Sequence, residues 1–314
     1  MIVTLTPNPS IDRTVAVPSL GHGEVNRATS SRIDPGGKGV NVSRALAANG
    51  VSTVAVLPIG GPEGHLMSEL LAEAGVRHDG VPVAGNLRMN IAVVEPDGTT
   101  TKVNEPGPTL DAGDIEGLLA AVERYAGSAG WVVGCGSLPP GAENALLADV
   151  VRRARGFGAK VAIDSSGAPM HEAVAARPDL IKPNHEELEE LVGRALPTLG
   201  DVVDAARGLV ADGIATVVVS LGGDGAVLVD ADTVVHGIAS IAKPLSTVGA
   251  GDCLLAGVLA VLAAGGDGPA ALESGVRWGA AAVTLPGSDV PGPRVLHGIP
   301  VTMTTELDLT RAIR

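Results

Sequence analysis

The sequence predicts an α/β protein built on a parallel sheet with helices on both faces. Three observations lead there. Short β-branched runs alternate with longer Ala/Leu-rich runs at helical spacing. The clearest short run, Thr216-Val217-Val218-Val219, is apolar or β-branched throughout, as a strand buried on both faces should be. The 314 residues are 45% hydrophobic and only 18% charged, which excludes a disordered chain and leaves ample material for a core.

Taken in order, Ile2-Val3-Thr4-Leu5 is the first strand. Residues 11–33 follow, with a β-like run at Thr14-Val15-Ala16-Val17 and no helical period. A helix over 38–49 leads to strand Thr53-Val54-Ala55-Val56-Leu57 and a helix over 64–74. Residues 88–104 read as a hairpin, because Glu95-Pro96-Asp97-Gly98 is a strong turn signal between Arg88–Val94 and Thr99–Asn104. Helices over 111–127 and 142–158 flank strand 131–133, and strands 160–163 and 180–181 come next. A helix over 201–213 precedes strand 216–219, and helices over 252–264 and 269–284 close the pattern. Residues 1–314 thus read as one domain without repeats or linkers. The segments about 11–33 and 88–104 form a small β-rich insertion, either a lid over the sheet's carboxyl edge or an ordinary surface hairpin.

Composition excludes several classes. Trp131, Trp278, Tyr125 and Phe157 are the only aromatic residues, so there is no stacking platform for bases. With 22 Lys+Arg against 35 Asp+Glu the net charge is −13, and no basic patch suits nucleic acid. An anionic substrate must therefore be held by local dipoles and a few placed cations. Cys135 and Cys253 are too few and too far apart for a disulfide framework or a zinc site. No apolar run is long enough to span a bilayer and no signal peptide opens the chain, so a cytoplasmic protein without membrane or nucleic-acid partners is expected. The seven histidines show no zinc-enzyme pairing, and Ser137 lacks the Gly-x-Ser-x-Gly elbow of a hydrolase.

Four stretches can carry chemistry. Gly249-Ala250-Gly251-Asp252 runs into Leu254, Leu255, Val258, Leu259 and Leu262 at helical spacing. A glycine-rich turn feeding a helix start exposes unpaired N–H groups and the positive end of the helix dipole, which is an anion site. Asp252 is either a base for a hydroxyl attacking a phosphoryl group or a plain N-cap. Asp34-Pro35-Gly36-Gly37-Lys38-Gly39-Val40-Asn41 is a second such start, for an anion or polyol, or an ordinary turn. It lacks the spacing of a P-loop, and Gly249-x-Gly251 lacks the third glycine of a dinucleotide fingerprint. In Lys182-Pro183-Asn184-His185-Glu186-Glu187, Glu187 either completes a capping box with Asn184 or stands near a magnesium ion through water. Asp164 ends its strand where α/β sheets hold ligands. Ser220-Leu221-Gly222-Gly223-Asp224-Gly225 joins two strands, at least as a hairpin turn.

The order of these motifs resembles the ribokinase-like (PfkB) sugar kinases over essentially the whole chain. Gly-Gly-Lys-Gly-x-Asn near 38, Gly-Ser-Leu-Pro-Pro-Gly near 138, Lys-Pro-Asn-x-x-Glu near 184, Ser-Leu-Gly-x-x-Gly-Ala near 222 and Gly-Ala-Gly-Asp near 250 carry the likeness. Thr6-Pro7-Asn8-Pro9-Ser10-Ile11-Asp12-Arg13 and Gly23-Glu24-Val25-Asn26-Arg27 resemble the phosphosugar branch, which acts on fructose 1-phosphate, fructose 6-phosphate or tagatose 6-phosphate. Fructose 1-phosphate is the favoured acceptor. The resemblance implies a three-layer α/β/α core with a discontinuous β-sheet lid, ATP with Mg2+, and a homodimer through the lid. It implies Asp252 as catalytic base, with Gly249, Ala250 and Gly251 as anion hole. It implies Asp12, Gly37, Lys38, Asn41, Arg88 and Ser137 at the sugar phosphate, and Lys182, Asn184, Ser220, Gly222 and Gly225 at ATP. Asp164 and Glu187 would stand near the metal. Cys253 departs from the family's usual Ser or Ala, and an oxidisable thiol beside the base is expected.

Overall fold

A computed structural model describes residues 1–313. The chain runs β1 (Ile2–Leu5), β2 (Ser10–Ala16), β3 (Ser30–Gly36), α1 (Lys38–Ala48), β4 (Thr53–Ile59), α2 (Gly61–Glu73), β5 (His78–Pro82), β6 (Arg88–Val94), β7 (Thr100–Asn104), α3 (Ala112–Ala126), β8 (Trp131–Cys135) and α4 (Leu146–Gly156). It continues with β9 (Lys160–Asp164), α5 (Gly167–Ala175), β10 (Leu180–Ile181), α6 (His185–Val192), α7 (Leu199–Ala211), β11 (Thr216–Ser220), β12 (Ala226–Asp230), β13 (Val234–Ile238), α8 (Ala250–Ala263), α9 (Gly268–Ala282), α10 (Pro293–Leu296) and β14 (Thr302–Thr304).

Among the described residues the strands form a ten-stranded sheet, ordered β14-β13-β12-β11-β10-β9-β8-β1-β4-β5, and a four-stranded sheet, ordered β3-β2-β6-β7. From β11 to β5 every pairing in the large sheet is parallel. At the other edge β12, β13 and β14 run antiparallel, β12 through the hairpin turn expected after Ser220. The glycine-rich turn after Ser220 reverses the chain directly into β12, leaving no room for a crossover helix.

Successive strand residues face opposite helical layers. Val3, Val132, Ile163, Ile181 and Val217 pack with residues of α3 to α7. Ile2, Val133, Ala162, Leu180 and Val218 pack with residues of α1, α8 and α9. The result is the three-layer α/β/α arrangement that the motif order implies.

The smaller sheet draws its strands from two separated stretches of sequence. β3, Ser-Ser-Arg-Ile-Asp-Pro-Gly, has little β propensity of its own, yet it pairs with β2 along its full length from Ser10↔Gly36 to Ala16↔Ser30. Partner strands override weak local propensity here, and Pro35 is tolerated because β3 is an edge strand.

A core without bulky aromatics brings helices close. A Cβ on Gly257 of α8 would lie 2.8 Å from the Ser274 carbonyl oxygen, 2.9 Å from Gly275 Cα and 2.9 Å from Trp278 Cγ. Gly275 and Gly279 make the reciprocal approach, with a Cβ on Gly275 falling 2.9 Å from the Leu254 carbonyl oxygen. On an exposed helix Gly→Ala stabilises by up to about 1 kcal/mol. At Gly257 the sign should reverse, because overpacking against backbone cannot relax. Gly257→Ala is expected to lower unfolding stability by roughly 1–3 kcal/mol. Urea denaturation checks this, and an unchanged or raised midpoint would contradict the packing argument.

Candidate active site

Parallel strands put all their carboxyl ends on one edge of the sheet. From β1 the chain steps outward to β4 and β5, and later from β8 through β9 and β10 to β11 in the other direction. The switch lies between β1 and β8, where α/β sheets open a crevice. Thr6 and Asn8 follow β1, and Gly136 and Ser137 follow β8. Asp164 ends β9, Lys182 follows β10 and Ser220 ends β11.

Among the helices without a side-chain cap, two start on a left-handed or otherwise positive-φ glycine next to the charged residues of this edge. Gly37 (φ 110°) precedes α1, and Gly249 (φ 77°) precedes α8. By contrast α3, α6, α7 and α9 are capped by Asp111, Asn184, Thr198 and Asp267. Gly37 is required by space as well as by φ, since a Cβ there would lie 2.8 Å from Thr6 Cγ2. Early N–H groups of α1 and α8 are thus left for another partner, although Ala250 N–H donates to the Thr247 carbonyl oxygen at 3.3 Å.

Charge is concentrated between them. Asp164 is wholly buried, with Oδ1 2.7 Å from Lys38 Nζ and Oδ2 3.1 Å from Lys182 Nζ. Burial alone would raise its pKa, but the two ammonium groups hold it below the usual carboxylate range. Burial likewise works against the Lys38 ammonium, and Asp164 and Glu187 outweigh it, so its pKa is raised. Lys182 is only 3% exposed, and a Cβ on Gly251 would lie 3.4 Å from its Nζ. Its ammonium therefore faces the start of α8.

Asp252 occupies the first turn of α8, but Gly249 holds the cap position. Its carboxylate reaches outside its own helix, where Oδ2 accepts from Asn41 Nδ2 at 2.8 Å. The plain N-cap alternative is thereby removed. Burial, and then the nearby charge of Asp164, push the Asp252 pKa up to about 6. Cys253 beside it is 1% exposed, and burial together with Asp252 raises its thiol to about 12. The expected oxidisable thiol is corrected, because the thiolate that oxidation needs is suppressed.

Asn184 and Glu187 form the capping box of α6. Glu187 also brings Oε1 to 3.3 Å from Lys38 Nζ. The turn at Gly222 (φ 58°) and Gly225 (φ 90°) is a hairpin turn, and Gly225 packs against the Gly237 carbonyl of β13. Asn184 and Ser220 pair across neighbouring strand ends.

On the smaller sheet, Asp12 Oδ1 accepts from Ser10 Oγ (2.7 Å) and Asn90 Nδ2 (3.0 Å), and burial raises its pKa despite these bonds. Arg88 Nη2 donates to the Asn8 carbonyl oxygen at 3.0 Å, while its buried Nε has no partner. Asn8 Nδ2 reaches the exposed Ser137 Oγ at 3.4 Å. The structure thus brings Lys38, Asn41, Asp164, Lys182, Glu187 and Asp252 into one connected group, and joins Asp12 and Arg88 through the smaller sheet. Sequence reasoning missed Ser10, Asn90 and Arg44. Asn90 is visible only once the Asp12↔Asn90 register is known, whereas Arg44, three residues after Asn41, carried a helical-spacing signal.

A model of the pfkB family of carbohydrate kinases matches residues 6–294. The chain belongs to this family. A 1-phosphofructokinase of Rhodobacter capsulatus is 36% identical over 307 residues, 97% of each chain. The ATP-dependent 6-phosphofructokinase isozyme 2 of Escherichia coli is 37% identical over 284 residues, 90% of each. The crystal structure of Escherichia coli phosphofructokinase-2 in complex with substrates and products superposes with a TM-score of 0.90 at 33% identity, covering 95% of this chain and 97% of that one. As a pfkB carbohydrate kinase, the protein is a phosphotransferase with an alcohol acceptor and takes ATP as a substrate. Among the described residues no helix is long and apolar enough to cross a membrane.

The carboxylate at Asp164 faces two ammonium groups, one of them buried. Asp164→Asn keeps the shape and removes the charge, so it should destabilise the fold by about 3 kcal/mol or more. Chemical denaturation measures this, and a loss below about 1 kcal/mol would mean that Lys38 and Lys182 find other compensation.

Proposed function

We propose that this kinase transfers the terminal phosphoryl group of ATP to a primary hydroxyl of a ketose phosphate, with fructose 1-phosphate the preferred acceptor and fructose 1,6-bisphosphate the product. The observation that carries the reading is Asp252, buried at the uncapped start of α8 with its pKa near 6 and two lysines close by. Phosphoryl transfer needs in-line positioning, a base for the hydroxyl and positive potential around the moving group. Asp252 accepts the hydroxyl proton. The N–H groups that follow Gly249, from Ala250 and Gly251 onward, stabilise the transferring oxygens, with the Lys182 ammonium beside them.

Asp12, Gly37, Lys38, Asn41, Arg88 and Ser137 hold the sugar phosphate, and Asn184, Ser220, Gly222 and Gly225 line the nucleotide with Lys182. A magnesium ion suits the oxygen donors of this corner. Asp164 and Glu187 bring two carboxylates to the same lysine, Lys38, and carboxylate oxygens are the hard donors that Mg2+ takes together with phosphate and water. Asp164 and Glu187 would hold it, through water, and it would supply neutralisation of the phosphate charge. The smaller sheet covers the sugar end as a lid. It also pairs two copies as a homodimer, a role supported by Val103 at 57% exposure and the half-buried Ile91 and Val93. Dependence on ATP suits the cytoplasm.

The choice of acceptor rests on the Thr6–Arg13 and Gly23–Arg27 motifs together with relatives named 1-phosphofructokinase. The Escherichia coli 6-phosphofructokinase, at 37% identity, supports a second reading with fructose 6-phosphate. The two ends of the furanose are pseudo-symmetric, so the distance from phosphate to attacking hydroxyl discriminates poorly. Contacts to ring hydroxyls must decide.

Asp252→Asn keeps the shape but cannot take the proton, so kcat should fall by roughly 10²–10⁴ with ATP affinity little changed. In the wild type only ionised Asp252 accepts. Turnover should therefore be full well above pH 6 and fall about tenfold per unit below it. Near-normal turnover of the Asn variant would remove Asp252 as the base. Across a panel of phosphosugars, kcat/KM for fructose 1-phosphate should exceed that for fructose 6-phosphate and tagatose 6-phosphate by at least about tenfold, or roughly 1.4 kcal/mol. A higher value for either 6-phosphate would overturn the acceptor and leave the kinase reading standing.

A further inference from the structure

Arg44 lies on α1, 7% exposed, one helical turn after Asn41. Among the described residues no carboxylate comes within ion-pair distance of it. Asp34 and Asp289, the nearest acidic groups in charge terms, are both engaged by Arg32. Arg44 Nη1 instead approaches neutral acceptors: the carbonyl oxygens of Pro35 and Ser288 at 3.1 Å each, Ser288 Oγ at 3.4 Å and Asn41 Oδ1 at 3.1 Å. A buried guanidinium without a counter-charge is costly, and an apolar side chain would fill the space more cheaply.

What this arrangement achieves is control of one amide. An asparagine side chain has a donor end and an acceptor end that differ little in shape, whereas a guanidinium only donates. The atom of Asn41 that faces Arg44 must therefore be its oxygen. The atom that faces Asp252, 2.8 Å from Oδ2, is then the amide nitrogen. A reversed amide would set oxygen against carboxylate and NH2 against guanidinium, which is unfavourable at both ends. With Oδ2 occupied by this donor, Oδ1 is the oxygen free to receive a proton. The other charged groups that act on Asp252 are Asp164, Lys38 and Lys182, and none of them holds the Asn41 amide.

We propose that Arg44 is a positioning residue that locks the Asn41 amide, so that Oδ1 of Asp252 is presented to the attacking hydroxyl. The proposal rests on the reading of Asp252 as the base. The test is a double-mutant cycle on kcat, with Arg44→Gln and Arg44→Met each combined with Asn41→Ala. Gln presents donor and acceptor alike and Met neither, so both release the amide.

Each Arg44 variant should lower kcat about tenfold or more while KM for ATP stays within about twofold. In the Asn41→Ala background the same substitution should change kcat by less than about twofold, because its route of action is already gone. Losses that multiply in the double variant would overturn the proposal, as would normal turnover of Asn41→Ala or of a folded Arg44 variant. Thermal melts identify which Arg44 variant folds, and either one suffices for the cycle. Asp252→Asn, assayed alongside, separates the two readings. If it keeps turnover the base reading fails, whereas if it is inactive and the cycle is multiplicative only the role of Arg44 fails.

Discussion

One buried carboxylate organises the active corner of this kinase. Asp164 has no exposed surface and stands between the ammonium groups of Lys38 and Lys182. Those lysines come from opposite sides, one from the first residue of α1 and the other from the end of β10. Without the shared counter-charge they would repel each other and withdraw from the cleft. With it, an acidic protein of net charge −13 keeps positive groups where phosphates must sit. The same carboxylate also reaches Asp252 through space and helps raise its pKa. One group thus fixes two cations and tunes a base.

Backbone supplies what side chains do not. The starts of α1 and α8 face the cleft on glycines and carry no capping side chain, while α3, α6 and α7 are closed by Asp, Asn or Thr. The sheet contributes by its order. Because the chain leaves β1 in one direction and returns through β8 in the other, loops from distant parts of the sequence meet over a single crevice.

Much of this was legible in the sequence, for physical reasons that differ by element. β11 is buried on both faces and so reads as an unbroken apolar run, and α8 shows its period at Leu254, Leu255, Val258 and Leu259. Asn184 and Glu187 signalled their capping box by spacing alone. β3 was illegible because its Ser, Asp, Pro and Gly are held extended only by the ladder to β2. β14, a short polar edge strand, and α5, a nine-residue helix with a glycine and a proline at its start, leave too little pattern to detect. In the site, the motif residues could be named individually, but their connections could not. That Asn41 bonds Asp252, 211 positions away, is a tertiary fact. The same holds for Asn90 on Asp12 and for the burial that protects Cys253.

The close contact between α8 and α9 has an optical consequence. The chain holds two indoles. Trp278 packs directly against Gly257, on the helix whose first turn carries Asp252, and is 7% exposed. Trp131 sits at the far end of β8, 4% exposed, with the Lys160 ammonium 5.7 Å from its ring centroid. A displacement of α8 against α9 alters the surroundings of Trp278 directly. The protein thus carries a native fluorophore coupled to its reactive helix, with no label to be introduced.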